Sequence, residues 1–304
     1  MRRILLFLIC FAALAAAALC PVSAQTDQPA RNERTVDLSS AFGSLRGTAV
    51  FFDPARDSYA VYAPELADVR SSPCSTFKIF SAYAGLLTGA IDPRHSVRRW
   101  DGTEYWQPLC NRDVDLKTAF GCSCVWYFWQ VIDDIGPAAM QAFLDRYGYG
   151  NRDCSDWGGR LNTNEPLYAL KGFWIESSLR ISPREQTEVL SRLFAPAEDA
   201  KQAAAQQTLK DIMLVQADEA RGLRIYGKTG FGVVDGRPAD ACFAGFYEYG
   251  GTPVYFAVRL DDPANPACTS AAAKDIALRV ICSEAASLFC TFMTEAPAAC
   301  PGLF

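Results

Sequence analysis

The chain has 304 residues, half of them hydrophobic and 21% charged, with a formal net charge of −5 and one histidine, His95. A single histidine excludes a two-histidine metal site or an H-E-x-x-H metalloprotease, and it leaves a Ser-His-Asp triad resting on His95 alone. The acidic balance, a pI near 5.1 and the lack of any Lys/Arg-dense segment argue against nucleic acid as the main partner.

The chain opens with Met1-Arg2-Arg3, an apolar stretch over 4–19 and Val22-Ser23-Ala24 before Gln25. This pattern predicts a signal peptide over 1–24 and an exported protein, periplasmic or secreted. Lipid attachment at Cys20 is a competing reading that Leu19 fits poorly, and an uncleaved anchor is another. Residues 25–34 are polar and aperiodic and predict a linker ahead of a single catalytic domain over 35–304. Later apolar runs are too short to predict a membrane span in the mature chain.

Residues 47–52 and 59–62 predict a hairpin across the turn-rich 53–57. Helical spacing follows over 76–87, ending at Gly89, and again over 114–135, 137–147, 183–194 and 203–215. The strand pattern returns at 223–226, 241–249 and 253–260, and 271–292 predicts an amphipathic helix. Strands at both ends and helices between them predict an α+β fold: an antiparallel sheet flanked by terminal helices, with an inserted helical subdomain over roughly 75–215.

Ser75-Thr76-Phe77-Lys78 sets a hydroxyl and an amine three residues apart on one face of a predicted helix. A serine nucleophile needs a base, and lysine serves only where its surroundings disfavour the ammonium form or its amine is chemically altered. Alone the match is weak, because 19 Ser and 7 Lys give roughly 0.4 such spacings by chance, each an ordinary exposed helix face. Lys228-Thr229-Gly230, after a short predicted strand, is rarer. On an edge strand it offers a cation and a hydroxyl to a carboxylate, with the glycine admitting a ligand to the backbone.

In this order the motifs resemble those of the serine β-lactamase and penicillin-binding protein superfamily. Ser123-Cys124-Val125 is similar to the S-x-V of class D (oxacillinase-type) β-lactamases, and Tyr149-Gly150-Asn151 to their Y-G-N. Phe173-Trp174-Ile175-Glu176 with Leu179-Arg180-Ile181-Ser182 resembles the class D segment that brings a tryptophan to the site. The resemblance runs over about 46–290, and the wording around Ser75 and Ser123 is similar to the class D group described from Gram-positive bacteria.

The resemblance implies hydrolysis of the β-lactam ring of penicillin- or cephalosporin-type small molecules through a Ser75 acyl-enzyme. It implies no cofactor beyond carbon dioxide, which would carbamylate Lys78 and make it the general base. Phe77, Val125 and Trp174 would line an apolar pocket favouring the neutral Lys78 amine, and Trp174 would donate its indole N–H to the carbamate. Ser123 would pass a proton toward the β-lactam nitrogen. Lys228, Thr229 and Gly230 would bind the substrate carboxylate, and the N–H groups of Ser75 and Phe231 would form the oxyanion hole. A β-lactam sensor that deacylates slowly and a D,D-peptidase are the competing functions.

The chain departs from the class D pattern in two places. About ten extra residues before Trp174 include Trp157, a rival for the carbamate. The usual carboxylate-binding arginine is missing from 271–276, which offers Ala273 and Lys274, leaving Lys228, Thr229 or another cation such as Arg259. Asn164-Glu165-Pro166-Leu167 is similar to a class A glutamate loop but reads better as surface, since Ala169 stands where an asparagine is expected. Glu176 reads as an exposed or capping carboxylate and His95 as part of a polar turn.

Ten of the twelve cysteines follow the leader, and disulfides are their expected use in an oxidising compartment. Cys122-x-Cys124 lacks a second pair to complete a zinc site, so no metal is expected. The approach of Ser75 to Ser123 predicts a Cys74–Cys124 bridge, with Cys122 as a rival partner for Cys74. Oligomeric state is not legible.

Overall fold

The computed structural model describes residues 32–161 and 172–284. The expected leader, Cys20, residues 25–31, residues 164–167, Cys290 and Cys300 lie outside them. In chain order the elements are β1 (Asn32–Thr35), α1 (Ser39–Phe42), β2 (Gly47–Asp53), β3 (Ser58–Tyr62), α2 (Pro64–Ala67), α3 (Phe77–Thr88), α4 (Leu116–Gly121), α5 (Val125–Ile135), α6 (Pro137–Tyr147), α7 (Pro183–Leu193), α8 (Ala200–Met213), β4 (Leu214–Asp218), β5 (Leu223–Val234), β6 (Arg237–Tyr249), β7 (Thr252–Leu260) and α9 (Ser270–Glu284).

The strands form one sheet in the order β1-β3-β2-β7-β6-β5-β4, so the two ends of the chain meet where β2 pairs antiparallel with β7. Every pairing is antiparallel except β1 with β3. Both faces are covered. Val50, Phe52, Phe246 and Tyr255 pack toward α3, α5 and α7, while Ala49, Phe51, Phe243 and Phe256 pack toward α9 through Ile276, Ala277 and Val280. Burial on both faces is why β2 reads as a continuous apolar run instead of an alternating one.

Local chemistry sets the helix ends. Gly89 adopts φ +89° and closes α3, and its N–H donates to the Gly85 carbonyl. Ser182 and Glu185 form a capping box with Pro183 in the first turn of α7. The mixed α+β architecture is as the sequence predicts.

Three sequence expectations need correcting. The linker expected over 25–34 runs into structure, because Asn32–Thr35 pairs in parallel with Ser58–Val61. The helix expected over 114–135 is broken into α4 and α5 at Cys122, Ser123 and Cys124, where Ser123 takes φ +60°. Continuous apolar character masks that break, since both helices bury their faces in the same core. The helix expected to reach Val215 stops at Met213, and Leu214–Asp218 turns into a strand along β5.

Candidate active site

The site forms where α3, the α4–α5 turn and β5 converge. Ser75 sits in a 3-10 turn, Cys74–Thr76, that runs straight into α3, so Lys78 stands one turn further along the same face. The Lys78 amine donates to Ser75 Oγ at 2.9 Å. Lys78 is 1% exposed, with its Nζ 5.6 Å from the ring centre of Phe128. Burial lowers the Lys78 amine to about 8, against a smaller upward influence of nearby thiols led by Cys124. It is therefore partly neutral near physiological pH.

The break between α4 and α5 turns Ser123 into a cleft of about 680 Å³, whose wall also carries Ser75, Val125, Ile175, Thr229 and Phe231. The left-handed conformation at Ser123 is costly for a residue with a Cβ, and Ser123 N–H to Phe120 O and Cys124 N–H to Ala119 O hold it.

Lys228, Thr229 and Gly230 lie on β5. Strand β4 pairs with Leu223–Tyr226 and goes no further, which leaves the following stretch, among the described residues, as an unpaired edge at the cleft. Lys228 Nζ donates to the Thr229 carbonyl at 3.1 Å, 5.9 Å from the ring centre of Phe120. Burial, and then the charge of Lys78, lower its amine to about 7. Gly230 serves packing: a Cβ there would meet Cys242 Sγ at 2.9 Å and the Pro73 carbonyl at 3.0 Å. Its missing side chain lets β5 close on the turn carrying Ser75. Phe231 is 42% exposed at the cleft mouth.

Trp174 is 1% exposed and stacks on Phe77 with ring centres 5.8 Å apart. Its carbonyl accepts from Cys74 N–H and from Ser72 Oγ, both at 3.0 Å. Its indole Nε1 is buried without a partner among the described residues, whereas Trp157 Nε1 donates to Asp133 at 3.1 Å. The Tyr149-Gly150-Asn151 motif holds this segment. Asn151 accepts from Arg180 N–H at 2.9 Å and donates to the Ser178 carbonyl at 2.7 Å. Gly150 permits that approach, since a Cβ there would lie 2.0 Å from the Arg180 carbonyl.

The remaining sequence candidates fall elsewhere. Glu176 is buried, where the sequence suggested an exposed or capping carboxylate. Its Oε1 accepts from Cys74 Sγ at 3.4 Å, and burial followed by the charge of Asp240 raises its carboxyl to about 7. Arg259 is 4% exposed and donates to the Val69 carbonyl at 2.6 Å, so it does not reach the cleft. Lys274 stands four residues beyond Ser270, which does line the cleft, and its charge helps to lower the Lys228 amine. His95 is exposed in its turn, its N–H on the Asp92 carbonyl.

The expected Cys74–Cys124 bridge is not formed. Cys74 points at Ser72 and Glu176, while Cys124 faces Cys110 and Cys122, and all eight described cysteines are unbridged. Sequence reasoning missed Trp106, Gln107, Val233, Gly236 and Ser270 as cleft residues, and Cys110 as a neighbour of Cys122. They lie in turn-rich stretches or at element ends, where no periodicity points to a shared surface.

A serine in contact with a buried lysine, a second serine from a helix-to-helix turn and a Lys-Thr-Gly strand edge are arranged as in the penicillin-binding and serine β-lactamase fold. The profile of the penicillin-binding protein transpeptidase domain matches residues 22–281. The chain is 32% identical over 255 residues to regulatory protein BlaR1 of Bacillus licheniformis, covering 83% of this chain but 39% of that protein. It is 32% identical over 231 residues to probable β-lactamase YbxI of Bacillus subtilis (strain 168), covering 76% of this chain and 80% of that one. A crystal structure of a class D β-lactamase from Bacillus subtilis superposes with a TM-score of 0.69 at 28% identity, over 82% of this chain and 96% of that one. The chain belongs to the penicillin-binding transpeptidase family, within the class D β-lactamase-like group known from Gram-positive bacteria.

Proposed function

We propose that the protein is an exported β-lactamase that opens the β-lactam ring through a Ser75 acyl-enzyme. The observation that carries this reading is the 2.9 Å contact between the Lys78 amine and Ser75 Oγ inside an apolar pocket. A buried amine lowered to about 8 can take the proton of Ser75 as its oxygen attacks the lactam carbonyl. Ser123, on the cleft wall, returns a proton to the departing lactam nitrogen. Lys228 and Thr229 hold the substrate carboxylate at the β5 edge, where an anion restores the ammonium form that burial disfavours. The N–H groups of Ser75 and Phe231 receive the developing oxyanion.

Carbamylation of Lys78 fits the pocket. The neutral amine adds carbon dioxide and loses a proton, and the product needs a donor where the surroundings are apolar. Trp174 Nε1 is a buried donor without a partner among the described residues, while the indole of Trp157 is engaged by Asp133. The carbamate, when present, supplies an anionic base able to activate water for deacylation.

The relation to BlaR1 favours a second reading, a sensor that is acylated and deacylates slowly. Steady-state hydrolysis of a chromogenic cephalosporin, with and without bicarbonate, separates the two. Turnover that rises with bicarbonate supports the hydrolase. Stoichiometric acylation without turnover supports the sensor, and no reaction with Ser75 removes both.

A further inference from the structure

The turn that carries Ser123 is flanked by Cys122 and Cys124, and a third thiol comes from across the cleft wall. The Sγ atoms of Cys110, Cys122 and Cys124 all lie within 4.8 Å of one another, and those of Cys110 and Cys122 are 3.1 Å apart. Cys110 ends the 3-10 turn Pro108–Cys110, just after Trp106 and Gln107 on the cleft wall, and its carbonyl accepts from Trp126 Nε1 at 2.7 Å. Cys110 is 3% exposed and Cys124 0%, whereas Cys122 is only partly buried and lines the cleft.

We propose that Cys110 and Cys122 are a redox-active dithiol whose disulfide locks the Ser123 turn to the Trp106 wall of the cleft. Two sulfurs on one tetrahedral zinc stand about 3.7 Å apart, given Zn–S bonds of about 2.3 Å. The Cys110–Cys122 pair is closer than that, and no described His, Asp, Glu or fourth Cys joins the three thiols. A bridge between Cys122 and Cys124 would have to close around Ser123 alone, which leaves Cys110 as the partner in place.

Access sets the order of events. Cys122 meets solvent at the cleft, and hydrogen bonds from Cys110 and then Cys124 lower its thiol, so it is the attacking thiolate. It attacks one sulfur of a small-molecule or protein disulfide and expels the other as a thiolate. Cys110, losing its proton, then attacks Cys122 Sγ and expels the second. One protein S–S bond forms, two S–H bonds are lost, and the oxidant's S–S bond becomes two thiols.

The test uses the full chain equilibrated in glutathione buffers of graded poise, acid-quenched, alkylated and digested with trypsin. Peptide 100–112, which carries Cys110, is expected linked to 118–146, with fragmentation placing the link at Cys122. In the same samples the rate of Ser75 labelling by a fluorescent penicillin is expected to differ several-fold between the two redox forms, and to lose that difference in Cys110→Ser. Three results overturn the proposal: alkylation of both thiols across the whole series, a link at Cys124, or a metal ion that co-purifies and shields all three thiols. A link at Cys122 without any change in labelling overturns its coupling to Ser123. The mapping reads independently of turnover, and the labelling step is common to hydrolase and sensor.

Discussion

The Trp174 carbonyl accepts the N–H of Cys74 at 3.0 Å, tying the segment whose indole has no partner among the described residues to the residue before Ser75. The same carbonyl takes Ser72 Oγ, so the tryptophan backbone is anchored twice to the approach of α3. Position is thus fixed independently of the indole N–H, which would be available to the proposed carbamate on Lys78. Trp174→Phe keeps an aromatic ring against Phe77 and removes only that donor. A hydrogen bond to a charged group contributes about 1.5–3 kcal/mol, so the bicarbonate concentration for half-maximal turnover is expected to rise about tenfold or more. An unchanged bicarbonate response assigns the indole no part in the reaction.

The Lys78 amine gives a pH dependence with a definite sign. Its value of about 8 means that the ammonium form predominates at pH 6 and the neutral form at pH 9. Only the neutral amine adds carbon dioxide or takes the proton of Ser75. At a fixed concentration of dissolved carbon dioxide, recovery of activity after carbon dioxide is stripped away is therefore expected to be slow at pH 6 and about fiftyfold faster by pH 8, as the neutral fraction rises from about 1% to about half. Stopped-flow recovery across this range checks it, and a flat profile contradicts it.

Glu176 makes a stability prediction of the opposite kind. Its carboxyl is raised to about 7 by burial and then by Asp240, so between about 4.5 and 7 the folded chain holds a proton that the unfolded chain has lost. Its contribution is present at low pH and lost as pH rises through 7. Glu176→Gln keeps an oxygen for Cys74 Sγ and removes the charge. The variant is expected to match the parent at pH 5 and to gain on the order of 2 kcal/mol at pH 8, read by urea unfolding. A gain that is equal at both pH values points to a cause other than titration.

Much of this was legible in the sequence because the chemistry there is local. Ser75 and Lys78 share a helix face by spacing alone, and the Lys-Thr-Gly strand announces itself by composition. The hairpin, α6 and the Gly89 stop followed from period and turn residues. What escaped depends on tertiary contacts. Nothing local says that 114–135 must break, because the residues on both sides of Ser123 are equally apolar. Nor does spacing show that Asn151 grips Arg180 and Ser178, or that Gly230 packs against Pro73 and Cys242. The cysteine pairing failed for the same reason: proximity of Ser75 and Ser123 does not fix the direction in which Cys74 points.

Asn151 is testable on that basis. Its amide satisfies both the Arg180 N–H and the Ser178 carbonyl, which are otherwise left without their partner. Both groups are only partly buried, so each costs about 1–2 kcal/mol when left unsatisfied, the lower part of the range for buried groups. Asn151→Ala is therefore expected to lower stability by roughly 2–4 kcal/mol and to weaken the bicarbonate response by loosening Trp174. Thermal unfolding and bicarbonate titration of one preparation check both, and loss of stability with an intact response separates Asn151 from the tryptophan.

For a substrate carboxylate held at the β5 edge as proposed, the cation that stands in for the missing arginine is expected from α9 and not from β7. Arg259 spends its guanidinium on the Val69 carbonyl and is buried, so Arg259→Ala is expected to lower stability without raising KM. Lys274 stands one helical turn beyond Ser270 at the cleft and acts on the Lys228 amine through space. With Lys274→Ala, the substrate carboxylate proposed at the β5 edge would lose one of two cations. An exposed or half-buried charge pair contributes about 1 kcal/mol, so KM for a penicillin is expected to rise about fivefold with kcat little changed. The loss shrinks at high salt, because the Lys274 side chain is only partly buried and its field is screened. A KM effect from Arg259→Ala with none from Lys274→Ala would reverse the assignment.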